Sequence, residues 1–185
     1  MKQFTIILAF ITTSLFSFGQ KYVVTPTGLK DEANIEKSFV VITAEGKSAK
    51  QLFDNAVKYV NVTYKNPNVV IKGKIDGEYL SFITHSEFYV ENGFAKAPFD
   101  MNYLTELTFK DGKVKYEISE LVMKNSAGYE LLFTGGGINF FIYNKSGEVK
   151  KPKTKEYLDT YFNVAIPRVK DYLEEKTTLA KKDDF

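Results

Sequence analysis

VVIKGKI (Val69 to Ile75) and EYLSFIT (Glu78 to Thr84), separated by Asp76 and Gly77, decide the fold. Two β-rich runs around an Asp-Gly pair are a strong hairpin signal, because a type I′ turn needs two central residues that tolerate positive φ. The device recurs at Tyr103 to Phe109, Asp111 and Gly112, and Val114 to Val122. Alternation gives each run an apolar side: Val69, Ile71 and Ile75; Leu80 and Phe82; Tyr103, Leu107 and Phe109; Val114, Tyr116 and Ile118. The other sides carry Lys72, Lys74, Tyr79, Ser81, Glu106, Thr108, Lys115 and Glu117, a mixture of signs that suits water.

The apolar sides need a cover, and the flanking sequence supplies it. Ser38 to Thr43, SFVVIT, reads as a further strand ended by Gly46. Ser48 and Gln51 have capping-box spacing, so a helix starts there, with Leu52, Phe53, Ala56, Val57, Val60 and Tyr64 in one stripe and Asn66-Pro67 as its stop. A second stripe, Leu158, Tyr161, Phe162, Ala165, Val169, Tyr172 and Leu173, is interrupted by Pro167, which is expected to kink or split that helix. The expected fold class is α+β: about five antiparallel strands with amphipathic helices on one face. If it is right, Phe53, Phe82 and Tyr116 meet in one buried cluster.

The remaining segments are less regular. Residues 20–37, with Pro26 and Gly28, read as a loosely ordered polar leader. Leu131 to Phe133 and Ile138 to Tyr143 flank Gly135, Gly136 and Gly137, which fits two apolar strands or a folded-back flap around a flexible joint. Residues 150–155 read as a basic linker around Pro152, and 181–185 as a frayed tail. The division expected is a signal peptide at 1–19, leader at 20–37, core at 38–123, extension at 124–180 and tail.

The signal peptide rests on Lys2, the apolar run Phe4 to Phe18, and small residues Ser17 and Gly19 before a cleavage at Gln20. The run is short for a bilayer span, which takes about 20 apolar residues, so no membrane span is expected after cleavage. Such a segment directs export to the periplasm or beyond. The chain has no cysteine, which excludes disulfides, thiolate catalysis, cysteine-based zinc sites and a lipoprotein anchor. Cleavage would remove Lys2 and no acid, lowering the formal charge from +2 by one, and so small a charge gives no footprint for nucleic acid.

Three stretches together resemble a known family: GKSAKQLFDNAVKYV (Gly46 to Val60), NPNVVIKGKIDGEYL (Asn66 to Leu80) and LTFKDGKVKYEISEL (Leu107 to Leu121). They resemble exported Bacteroidetes domains of unknown function with a TBP-like fold, the DUF4468-type family. The resemblance implies a curved antiparallel sheet with helices on one face. It implies no activity, transfers no catalytic residue, and covers roughly Ser38 to Met123. Fold does not imply function, and a DNA-binding role would need basic groove contacts that this chain lacks.

Candidate chemistry is sparse. His85 is the only histidine and precedes Ser86 and Glu87. Adjacent strand residues point to opposite faces, so these three cannot form a triad among themselves, and one histidine without cysteine excludes structural zinc. Gly135 to Gly137 lack the lysine and hydroxyl of a phosphate loop. Asp76, Asp100, Asp111, Asp183 and Asp184 lack the spacing of a calcium loop. The segment Phe88 to Phe99 reads as an aromatic connection between the hairpins, and such loops carry function. The binding candidates are therefore Tyr89, Phe94, Phe99, His85 and Glu87, with no catalytic residue, metal or cofactor.

The expected function is a non-enzymatic module that binds a small molecule or an envelope protein. One alternative is a hydrolase whose carboxylates, such as Glu87 and Glu130, meet on folding at the 5 to 9 Å or so of glycoside cleavage. Another is a structural component that pairs exposed strand edges. A concavity lined by aromatics with a few polar groups would favour binding, and clustered carboxylates would favour the enzyme.

Overall fold

The computed structural model describes residues 21–92 and 95–176. Its centre is a five-stranded, wholly antiparallel sheet in the order β3-β7-β6-β5-β4. The strands are β3 (Phe39–Thr43), β4 (Ile71–Ile75), β5 (Tyr79–Asn92), β6 (Ala95–Lys110) and β7 (Lys113–Lys124). Helices α1 (Ala49–Thr63) and α3 (Pro152–Leu173) cover one face, and a single turn, α2 (Pro67–Val70), leads into β4. Phe53, Phe82 and Tyr116 all lie in the buried core, which draws on the sheet and both long helices. The α+β architecture read from the sequence is the one observed.

Helix α1 begins where the capping spacing put it. The Gln51 amide donates to Ser48 Oγ at 3.3 Å and the Ser48 amide donates to Gln51 Oε1 at 2.8 Å, so two orphan donors of the first turn are satisfied. Its buried side holds Leu52, Phe53, Ala56 and Val60. Asn55, also buried, donates to the Leu173 carbonyl at 3.1 Å and ties α1 to the end of α3.

Both Asp-Gly hairpins form, but neither uses a type I′ turn. Gly77 and Gly112 adopt positive φ while Asp76 and Asp111 do not, and the first connection spans Asp76 to Glu78 rather than two residues. The face assignment holds for β5, β6 and β7 and fails for β4. Val69 is 67% exposed and Ile75 55%, because Val69 belongs to α2 and the bulge after Ile71 turns Ile75 outward opposite Tyr79, leaving Lys74 to lie over the Phe53 ring of α1.

The aromatic connection expected at Phe88 to Phe99 is instead strand. β5 and β6 pair continuously from Tyr79↔Thr108 to Asn92↔Ala95, which places Phe88, Val90 and Phe99 on the core face. Phe94 lies outside the described residues, as do the signal segment 1–19 and the tail 181–185.

The stretch read as a loose leader is a hairpin, β1 (Tyr22–Thr25) with β2 (Gly28–Asp31), and Tyr22, Val24 and Leu29 are buried. Side chains of α3 satisfy the free edge of β1. Asn163 accepts from the Tyr22 amide and returns a donor to its carbonyl, both at 2.8 Å, while Asp159 accepts from the Val24 amide at 2.7 Å. Proline and glycine here mark a turn between short strands rather than disorder.

The basic linker at 150–155 is likewise short, since α3 starts at Pro152, where a missing amide costs nothing. The helix runs unbroken through Pro167, whose ring is exposed, held by Leu158, Phe162 and Ile166 before it and Val169 and Leu173 after it. Between core and helix, β8 (Leu131–Gly135) and β9 (Phe140–Asn144) pair in parallel. Gly136 to Asn139 must therefore return the length of a strand, roughly 13 Å in few residues. The link makes this return through a turn at Gly137 and Ile138, where Gly137 takes a φ of 79°.

Candidate functional site

The end of the long β5–β6 hairpin, β9 and the start of α3 enclose two neighbouring clefts. One, of about 360 Å³, is lined by Gly137, Ile138, Asn139, Phe140, Phe141, Lys150 and Lys151. The other, of about 240 Å³, is lined by Glu91, Lys150 to Lys153 and Thr154. Lys150 and Lys151 form the wall between them.

Each wall has a local cause. Ile138 is 83% exposed at the turn of the glycine link. Phe140 packs edge-on against Phe99, with ring centroids 5.1 Å apart, so a core aromatic braces the cleft floor. Lys151 caps that floor: its ammonium lies 5.1 Å from the Phe140 ring centre and donates to the Glu91 carbonyl at 2.8 Å. Partial burial lowers its pKa from the usual lysine value, because the charged form loses hydration. Its neighbours are paired to carboxylates, Lys150 to Glu148 at 2.6 Å and Lys153 to Glu91 at 3.1 Å. Among the described residues Lys151 has no carboxylate partner. An apolar floor beside a partly desolvated cation suits an organic anion.

The sequence candidates are scattered around this site. Phe99 is 1% exposed and touches the cleft only through Phe140, so it is a brace and not a lining residue. Tyr89 is 66% exposed and projects from the sheet face opposite the helices, as do His85 and Glu87. Ser86 lies on the inner face, in keeping with the alternation argument. Glu87 sits directly across from Asp100, and His85 across from Asn102. Glu87 does not meet Glu130, which pairs with Lys124 at 3.0 Å, three strand spacings or about 14 Å away along the row Glu87, Asp100, Lys124. In the sequence Lys151 is hidden inside a run of lysines. Asp100 is hidden because its place opposite Glu87 follows from the register Asn92↔Ala95, whereas an Asn92-Gly93 two-residue turn would set Pro98 there.

No protein-family model and no curated protein matches the chain. Two solved structures are similar to it. A DUF4468 family protein from Bacteroides ovatus ATCC 8483 shares 14% identity over 72% of this chain and 78% of its own, with a TM-score of 0.48. A TBP-like protein from Parabacteroides distasonis ATCC 8503 shares 14% identity over 72% of this chain and 90% of its own, with a TM-score of 0.45. They bear the family and fold names that the sequence resemblance gave, and the architecture itself stands on this chain's own strand order.

Proposed function

We propose that this chain is a non-enzymatic binding module exported to the cell envelope, whose ligand is a small organic anion with an apolar body. The observation that carries this reading is Lys151, a partly desolvated ammonium over an aromatic floor, paired only with a backbone carbonyl among the described residues. A carboxylate or sulfonate would meet Lys151 while its apolar part lies along Ile138 and Phe140. The hydrolase alternative loses its Glu87–Glu130 pair to distance, and neither cleft is lined by Glu87 or Asp100.

The test uses anilinonaphthalene sulfonate as a fluorescent probe and octanoate as a competitor. Saturable enhancement, displaced by octanoate and weakened about tenfold or more by Lys151→Gln and by Ile138→Asp, is expected, since a hydrogen bond to a charged group contributes roughly 1.5–3 kcal/mol. Binding of equal strength in both variants, or none in the parent chain, would remove the proposal.

A further inference from the structure

On the opposite face of the molecule, the hairpin register assembles a second constellation. His85 and Glu87 project from β5, and Asp100 and Asn102 from β6. One ligand atom each from His85, Glu87 and Asp100 lies within 4.8 Å of the others, and all three side chains are exposed. We propose that these three residues form a binding site for a divalent first-row transition cation of the zinc type, with water completing its coordination.

Three features point this way. First, two carboxylates stand directly opposite on adjacent strands, an arrangement that like charge makes unfavourable. No lysine or arginine among the described residues neutralises either, because Lys124, across from Asp100, is engaged by Glu130 at 3.0 Å. Second, the His85 ring is oriented. Asn102 Oδ1 lies 3.1 Å from Nδ1, a contact that would steady the ring with Nε2 turned toward the carboxylates. Nε2 faces Asp100 Oδ1 at 3.8 Å, so the ring nitrogen and the carboxylate converge on one point in front of the sheet. Third, the spacing fits: two ligand atoms on a tetrahedral cation with bonds of about 2.1 Å lie about 3.4 Å apart, within small side-chain rotations of 3.8 Å. The imidazole selects against calcium and magnesium, which prefer all-oxygen sites. This is an open surface site, unlike the closed four-ligand structural zinc that the sequence excludes.

The chain's single histidine makes the test direct. With protein free of any histidine tag, zinc chloride is titrated while the two imidazole nitrogens are followed by long-range ¹H–¹⁵N correlation. The expected result is a saturable shift of Nε2 with Nδ1 still protonated, no shift with calcium chloride, and affinity lower by about tenfold or more in both Glu87→Gln and Asp100→Asn. An imidazole unmoved by zinc overturns the proposal, and so does unchanged affinity in either carboxylate variant, which would mean a solitary surface imidazole. The substituted positions are exposed, and an unchanged thermal midpoint without zinc verifies folding. The cleft at Lys151 lies elsewhere, so either reading can fail alone.

Discussion

Glu120 holds a φ of 50°, a left-handed conformation that costs a side-chain-bearing residue about 1 kcal/mol. The cause is a bulge: between Leu104↔Ser119 and Asn102↔Val122, three steps on β7 match two on β6. The extra residue reverses the facing of the strand beyond it, so that Met123 is buried and Val122 exposed. Glu120→Gly should therefore be neutral or slightly stabilising, while Glu120→Val should lose about 1–2 kcal/mol in urea unfolding, because a β-branched residue tolerates positive φ worst. Equal stability of the two variants would show that the bulge does not impose the strain. Individual positions were legible where one strong local rule acted, as at Ser48 and Gln51. They were illegible where strand register decided, as for Asp100: an Asn92-Gly93 two-residue turn would set Pro98 opposite Glu87, whereas the register from Asn92↔Ala95 sets Asp100 there.

Among the elements, those with long periodic patterns were readable, as was the β-branched run of β3, whereas the four-residue strands β1 and β2 were not. β1 offers only Tyr22 and Val24 as its alternating pair, too little period to outweigh Pro26 and Gly28 nearby. What orders it is side-chain chemistry from α3. Asn163 supplies both a donor and an acceptor to Tyr22, and Asn163→Leu leaves two part-buried backbone groups without partners. A loss of about 2 kcal/mol is expected. Hydrogen exchange should quicken first in Tyr22 to Asp31, and uniform acceleration across the chain would contradict this attachment. β4 failed the facing rule for a different reason. The bulge after Ile71 breaks the alternation that the sequence shows, so Ile75 faces outward opposite Tyr79 while Lys74 lies over the Phe53 ring.

At the scale of the whole molecule, the core encloses many tyrosine rings. Burial raises the phenol pKa of Tyr22, Tyr103 and Tyr116, and that of Tyr64 is pushed up to about 12 while it is bonded to Thr84 at 2.6 Å. In the unfolded chain these groups ionise near pH 10, whereas in the fold they stay protonated above it. The unfolded state then binds fewer protons, so stability is complete below about pH 10 and falls as pH rises from there through the folded values. Denaturant midpoints should drop between about pH 9 and pH 11. The drop should shrink in Tyr64→Phe compared with its own midpoint at about pH 9, and a flat profile would mean that the rings open to water without unfolding.

The seam between β1 and α3 joins residues 141 positions apart. A ribosome delivers β1 long before the helix that seals its edge, so that seam stays open until Asn163 has been synthesised. Closure of the fold is thus a late event, and an interrupted translation product would carry Tyr22 and Val24 bare to solvent and prone to clump.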